Sequence, residues 1–499
     1  MPIRFSLVPA LAAVAAGAAH AQRPLNPAVG MQRDPAIAAA LADVDPARIR
    51  RIDSTLASFG TRNTFSDTTS PARGIGAARR WIHSELEQYS RDCGGCLRVE
   101  YYEKVQQIRR AVGRDSVTRS ANIVDVVAWL PGRDTTHVVV MTGHYDSCVC
   151  SAGGSFDSTS TAPGADDDGS GTSAIVELTR VFSKHFPKGL ASTVIFAAVA
   201  AEEQGLIGAR QLAERLHADG YKVVAGMTDD IVGNVVAEDG TADSTSFRFF
   251  AADPDNSPSR ELGRYVWGLD KLYLPQFEAV PVWRLDRIGR GGDHEPYVTL
   301  GDAGLRFTER IENYNRQHLP TDDFAHVNPG YIANIARINA ATVASLASAP
   351  PMPAGARAAR QGRATLDTSG AAPQTNSGGQ AWTLSWQPSE GAVSYEILLR
   401  RTTSPVWEQV IPIGNVTSCL LRRQLDDEWA GVRAVGAGGT RSMAASMPAP
   451  NASRPAPGQQ TAQRGGGGAG AAAAPAGSAR GGAGANAGGR AGGPPPPRC

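Results

Sequence analysis

Three clusters of residues able to hold cations and move protons stand along the chain: His144-Tyr145-Asp146, Asp166-Asp167-Asp168 and Glu202-Glu203. Imidazole nitrogen and carboxylate oxygen are donors that zinc favours. An aspartate is short enough to place one oxygen on each of two ions about 3.5–4 Å apart. A carboxylate that holds no metal can accept a proton from water and pass it to a leaving amine. Singly, each cluster has an ordinary explanation: the triple Asp caps a helix, His144 is a satisfied core histidine, and the Glu pair is surface charge.

The elements around the clusters decide between these readings. Residues 123–130, 138–142 and 193–200 are short, β-branched and almost wholly apolar, as suits strands buried on both faces of a sheet. Residues 46–59 and 74–89 read as helices, the second with Ala78, Ile82 and Leu86 on one face. Residues 172–186, with Ile175, Leu178 and Phe182 in register, and residues 206–217 are helical as well. Two more helices are expected at 257–267 and 329–346. The alternation predicts an α/β fold, a mixed, mostly parallel sheet sandwiched by helices. Ligands of such sheets bind beyond the carboxyl ends of the strands. His144 and Glu202-Glu203 follow two of these strands directly, and the Asp triplet lies in a glycine-rich turn just before a helix, so all three fall on one edge.

His144-x-Asp146, Gly164-Ala165-Asp166-Asp167-Asp168-Gly169-Ser170-Gly171 and Ala201-Glu202-Glu203-Gln204-Gly205 resemble, in order and spacing, the successive motifs of the co-catalytic two-zinc aminopeptidases, the family of bacterial leucyl aminopeptidase. That family is related in fold to glutamate carboxypeptidase and the transferrin receptor. The resemblance covers about residues 52–346. It implies the zinc-dependent exopeptidase fold and a further Asp after the next strand, Asp230, with Asp229 as its rival. It also implies a late His before an acidic stretch, His318 ahead of Asp322 and Asp323.

Carried over residue by residue, it implies two Zn2+ ions. Asp167 would bridge them, with Asp166 or Asp168 as rivals; His144 and Asp230 would complete one site, Glu203 and His318 the other. Glu202 would be the general base, deprotonating a water shared by the two ions. That water would attack the scissile carbonyl and remove N-terminal residues from peptide or protein substrates with a free N-terminus. Asp146 would accept a hydrogen bond from the second ring nitrogen of His144, unless it only caps its turn. Gly291-Gly292-Asp293-His294-Glu295 resembles the family's Ser-Asp-His segment, with Gly292 in place of Ser, and gives His294 a pocket role or a purely structural one. His83, His137, His185, His217 and His326 have no carboxylate partners in register and read as ordinary surface or core residues.

At 499 residues the chain has room for a catalytic domain and an accessory one, and 49 Lys and Arg against 48 Asp and Glu leave no field to attract nucleic acid or an anionic membrane. Arg4, the apolar residues 5–19 and Ala19-His20-Ala21 form a cleavable signal peptide (1–21), too short for the roughly 20 residues of a membrane span, so a secreted or periplasmic protein is expected. Cys93 with Cys96 and Cys148 with Cys150 are expected as structural bridges, the alternative being a third zinc site built from the four thiols. Cys419 and Cys499 are left unassigned.

Residues 22–45 read as a spacer, 46–348 as the peptidase domain and 349–363 as a linker. Residues 364–447, similar to a fibronectin type III domain with Trp386 and Tyr395 as core anchors, read as a small all-β sandwich of a kind that binds a surface or partner. Residues 448–499, rich in Gly, Ala and Pro, read as a disordered tail. Two other functions are compatible with this fold: a glutaminyl cyclase-like acyltransferase with one zinc, and a binding protein without activity.

Overall fold

A computed structural model describes residues 25–112, 115–150, 155–360, 381–448 and 496–499. The proposed signal peptide and most of the Gly/Ala/Pro tail lie outside the described residues. Helices α1 (Pro35–Ala42) and α2 (Pro46–Ser58) each begin with Pro behind a capping aspartate, Asp34 and Asp45. α1 packs on the last helix of the body, so the stretch read as a spacer supplies part of the core, with Ile37, Ala40 and Leu41 buried. After α3 (Gly74–Asp92) come β1 (Arg98–Val112), β2 (Asp115–Leu130), β3 (Asp134–His144), α4 (Gly171–His185), β4 (Ser192–Val199), α5 (Ile207–Ala218), β5 (Lys222–Asp229), β6 (Ser246–Ala251), α6 (Pro258–Tyr273), β7 (Glu278–Val282), α7 (Glu295–Leu300), β8 (Gly304–Glu309) and α8 (Pro329–Ser348).

The eight strands form one sheet in the order β1-β2-β4-β3-β5-β8-β6-β7. β4, β3, β5 and β8 run parallel, as do β6 and β7, while the pairs β1-β2, β2-β4 and β6-β8 are antiparallel. Alternation along the central strands divides two cores. Val139, Met141, Val194 and Phe196 join the larger one with residues of α2, α3, α4, α6 and α8. Val138, Val140, Ile195 and Ala197 point the other way, onto Ala209, Leu212 and Leu216 of α5 and Tyr297 of α7. β1 and β2 run well beyond the apolar stretch 123–130, into a mostly polar hairpin whose sequence carries no hydrophobic period.

Asp125 of β2 is wholly buried beside the turn that leaves β4. Its carboxylate accepts the main-chain N–H of Ala200 at 3.0 Å and the amide of Gln211 at 2.8 Å. Burial raises its pKa from 3.8 to about 7, against the lowering effect of those two hydrogen bonds. The folded chain therefore keeps a proton that the unfolded chain releases, and stability from this group falls as pH rises from about 4 to about 7. Asp125→Asn should flatten the melting temperature across that window relative to the parent protein; an unchanged slope would contradict this assignment.

The chain then adds β9 (Arg357–Arg360), β10 (Trp382–Ser385), β11 (Ala392–Arg401), β12 (Gln409–Gly414), β13 (Ser418–Leu421), β14 (Glu428–Gly436) and β15 (Ala445–Met447). They form two antiparallel sheets, β13-β10-β9 and β12-β11-β14-β15, around Trp382, Leu384, Trp386, Tyr395, Ile397 and Val432. β9 lies in the stretch read as a linker, where four residues of modest hydrophobicity pair with β10. The sandwich grips α6: Trp407 Nε1 and Ser446 Oγ donate to Glu261 at 2.9 and 2.6 Å, and Arg264 Nε donates to the carbonyl of Pro405 at 2.9 Å.

All six cysteines are paired, Cys93 with Cys96, Cys148 with Cys150 and Cys419 with Cys499. The first two pairs stand apart, Cys96 against Ser183 and Cys150 against Glu203, which rules out one zinc site made from their four thiols. The third bridge fastens the end of the chain to β13, where Leu420 N–H also donates to the carbonyl of Pro497. The last four residues of the stretch read as a disordered tail are thus anchored by a cysteine left without assignment.

Candidate metal centre

The predicted residues meet at the carboxyl edge of β3, β4 and β5. His144 ends β3, Glu202 and Glu203 follow β4, and Asp230 follows β5, while Asp167 sits in the turn of residues 165–170 ahead of α4. A Cβ on Gly143 would stand 2.8 Å from the backbone of Gly171 and Thr172, so only glycine lets the end of β3 come this close to the start of α4.

The three aspartates of the turn face three ways. Asp166 Oδ1 accepts the N–H of Gly233 at 2.8 Å. Asp168 accepts the N–H groups of His144 and Gly171 at 2.9 and 2.8 Å. Asp167 alone presents its carboxylate to both histidines: its Oδ1 is 3.2 Å from His144 Nε2 and its Oδ2 is 3.1 Å from His318 Nε2. Asp229 turns back to the side chain of Asn339, whereas Asp230 Oδ1 lies 3.8 Å from His144 Nε2. Glu203 Oε2 lies 3.3 Å from His318 Nε2.

Two donor groups result, each with ligand atoms within 4.8 Å of one another: His144, Asp167 and Asp230 in one, Glu203 and His318 with Cys148 and Cys150 in the other. His144 Nε2, Asp167 Oδ2 and Glu203 Oε1 are buried and make no hydrogen bond. Buried polar atoms are rarely left so, and three aimed into one space are what a cation site requires.

Electrostatics agree. Burial opposes a charged His144, yet Asp146, Asp167 and Asp230 hold its pKa well above the ordinary value. His318 is pushed up to about 10 by Glu203 and Asp167 against its burial. The carboxylates outnumber the imidazoles and draw positive charge into the site.

Glu202 belongs to neither group but lines the same cavity of about 390 Å3, with Asp167, Glu203, Asp230, Arg287, Arg290 and His318. Burial, and after it Asp230, Asp167 and Asp146 working against His144, raise its carboxyl to about 8. Asp146 does more than orient His144. Its main-chain carbonyl lies 3.1 Å from His144 Nδ1, nearer than its carboxylate at 3.5 Å, and the carboxylate accepts the N–H groups of Glu202 and Glu203 at 3.2 and 3.4 Å. His294 stands outside both groups. Its Nε2 lies 2.8 Å from the carbonyl of Leu285 and ties down the loop that carries Arg287 and Arg290.

Four of the histidines read as lacking carboxylate partners have them: His137 with Asp134, His185 with Asp43, His217 with Asp302 and His326 with Asp323. Two of these pairings, with Asp43 and Asp302, join residues remote in sequence, beyond the reach of local register. His83 stacks on Tyr101.

Sequence reasoning missed the groups that hold the donors. Arg306, fully buried in β8, forms an ion pair with Asp230 Oδ1 at 3.0 Å and donates to its main-chain carbonyl at 3.1 Å; an arginine set between Leu305 and Phe307 was the available signal. Arg62 donates to the carbonyls of Tyr145 and Gly164, and no local pattern marks it. Ala201, Ile231 and His318 have φ near +60°, each at or beside a donor, a strain of about 1–3 kcal/mol apiece that the surrounding packing must hold.

Asp322 accepts the N–H groups of Asp166 and Asp167 at 2.8 and 3.0 Å. Asp322→Asn would set an amide NH2 against one of them and tilt Asp167. Metal affinity should fall about 10–100-fold in competition with a chromophoric chelator; unchanged affinity would contradict the role.

Residues 125–343 match the sequence profile of peptidase family M28. A probable zinc metalloprotease of Pyricularia oryzae is 35% identical over 453 residues, covering 84% of this chain and 85% of the relative. The chain belongs to peptidase family M28. A second probable zinc metalloprotease, from Leptosphaeria maculans, is 35% identical over 436 residues and shares 82% of the M28 chain and 96% of its own length. The fold matches the crystal structure of the LapA aminopeptidase of Legionella pneumophila with a TM-score of 0.50 at 20% identity, over 69% of the M28 chain and 80% of LapA. Among the described residues of this M28 protein no helix is long and apolar enough to cross a membrane.

Proposed function

We propose that this M28 protein is a secreted zinc aminopeptidase with two Zn2+ ions, one held by His144, Asp167 and Asp230 and the other by Asp167, Glu203 and His318. The observation that carries the reading is Asp167, whose two oxygens face different histidines at 3.2 and 3.1 Å, while its Oδ2, His144 Nε2 and Glu203 Oε1 are buried without a hydrogen bond. Two imidazoles and a set of carboxylates are a donor set that suits zinc, and the relatives named as zinc metalloproteases support that choice of metal. When bound, the ions supply an acidified water and polarise the scissile carbonyl.

The chain's own residues do the rest. Glu202, in the cavity but outside both donor groups, accepts the water's proton and hands it to the leaving amine. Asp146 fixes the backbone of Glu202 and Glu203, and Arg306 fixes Asp230. The substrates are peptides or proteins with a free N-terminus. Export follows from Arg4, the apolar residues 5–19 and Ala19-His20-Ala21.

The test is a panel of amino-acid p-nitroanilides, each beside its N-acetylated twin, with and without a chelator. Chelator-sensitive cleavage of the free-amine substrates alone is expected. Cleavage of the blocked twins would overturn the aminopeptidase reading, and cyclisation of an N-terminal glutamine without hydrolysis would replace it with an acyltransferase.

A further inference from the structure

The bridge Cys148–Cys150 lies against the donors of the second metal position. Cys150 Sγ is 3.7 Å from Glu203 Oε2, and both sulfurs fall with Glu203 and His318 in one set of atoms within 4.8 Å of one another. The side chain of Glu203 is only 5% exposed, and its Oε1 makes no hydrogen bond. In tetrahedral zinc sites, ions about 2.0–2.3 Å from nitrogen, oxygen and sulfur place neighbouring donors roughly 3.3–3.8 Å apart, a spacing these four residues can meet once the sulfurs separate. A bridged sulfur is a poor ligand; a thiolate is among the best that zinc has.

We propose that Cys148 and Cys150 form a redox-dependent metal site with Glu203 and His318, in which reduction closes the coordination that catalysis needs to stay open. The proposal rests on the two-zinc reading above. Two thiols of a reductant supply two electrons and two protons to the Sγ–Sγ bond and leave as a disulfide; alternatively a phosphine supplies the electrons and leaves as its oxide, with water giving the oxygen and the protons. Each freed thiol then loses its proton to solvent as it takes the metal. Glu203, His318 and the two thiolates, which would take the place of the Asp167 oxygen on this ion, make four protein donors that saturate a tetrahedral zinc, as in structural sites, whereas a catalytic site keeps a position for water or substrate. Reduction should therefore tighten the ion's hold while stopping turnover, a pairing of effects that loosening of the fold would not give. For an exported chain the bridge would open the site after oxidation, keeping the enzyme silent in a reducing compartment.

The experiment loads the oxidised enzyme with Co2+, then adds a phosphine and follows the near-ultraviolet thiolate-to-cobalt charge-transfer band, the rate of cobalt release to a chelator, and peptidase activity. A Cys148→Ser/Cys150→Ser variant is treated in parallel, since its other two bridges reduce as they do in the parent. The expected result is a new band, slower release of cobalt and loss of activity in the parent on reduction, with no band in the variant. Two bound cobalt ions without a band after reduction would overturn the redox site and leave the two-metal reading standing. Fewer than two ions in the oxidised enzyme would overturn both.

Discussion

Glu202→Gln is expected to lower kcat about 10²–10⁴-fold while leaving both metals bound. The glutamine keeps the shape and burial of the side chain, and residue 202 lies in neither donor group, so what is lost is the proton acceptor. KM should change little. The pH profile supplies a second signature. Burial and the neighbouring Asp230, Asp167 and Asp146 raise the carboxyl of Glu202 to about 8 in the metal-free chain, and bound cations would draw it down again. Activity of the parent should rise with pH as this carboxyl ionises, and the residual activity of the Gln variant should lack that limb. Metal loss from the variant would place residue 202 among the ligands and contradict the assignment.

Asp167→Asn removes the carboxylate that faces both His144 of the first donor group and His318 of the second. An amide offers a single oxygen, so it can face His144 or His318 but not both. Metal content should fall from two ions to one or none, and activity by about a thousandfold or more, since several kcal/mol of charge stabilisation go with the pair. The same change at Asp166 or Asp168 should act differently. Their oxygens accept main-chain N–H groups of Gly233, His144 and Gly171, so Asn there should weaken binding through a loosened turn and leave the stoichiometry at two. Loss of both ions from the Asp166 variant, with two retained by Asp167→Asn, would reverse the roles.

Strands β2, β3 and β4 and helices α2 to α6 and α8 were legible in the sequence because burial on both faces leaves a run of apolar residues, as in Val138 to Met141 and Val194 to Val199, and packing on one face leaves a helical period, as in Ile175, Leu178 and Phe182. His144, Asp167 and Glu203 could be singled out because they stand at a strand end or just ahead of a helix, whereas His318, in the loop between β8 and α8, was indicated only by the family resemblance. What could not be read depends on distance in the fold. Nothing near Arg306 or Asp322 in the sequence announces Asp230 or Asp167, and no period marks α1 as core until α8 is beside it. The outer halves of β1 and β2 have too little to bury to show a pattern, yet they pair along their full length. The bridge between Cys419 and Cys499 spans 80 residues of chain, most of which lie outside the described residues, and no spacing rule would have found it. Asp146 was expected to accept from the His144 ring through its carboxylate, whereas its main-chain carbonyl is the nearer partner, and the carboxylate's grip on the backbone of Glu202 and Glu203 arises only because β3 and β4 are neighbours in the sheet.

The most direct test of the two-metal centre is an anomalous difference map from crystals of the zinc-loaded protein, collected on both sides of the zinc edge. Two peaks are expected, one beside the oxygen of Asp167 that faces His144 and Asp230 and one beside the oxygen that faces Glu203 and His318. A single peak, or peaks away from Asp167, would contradict the account.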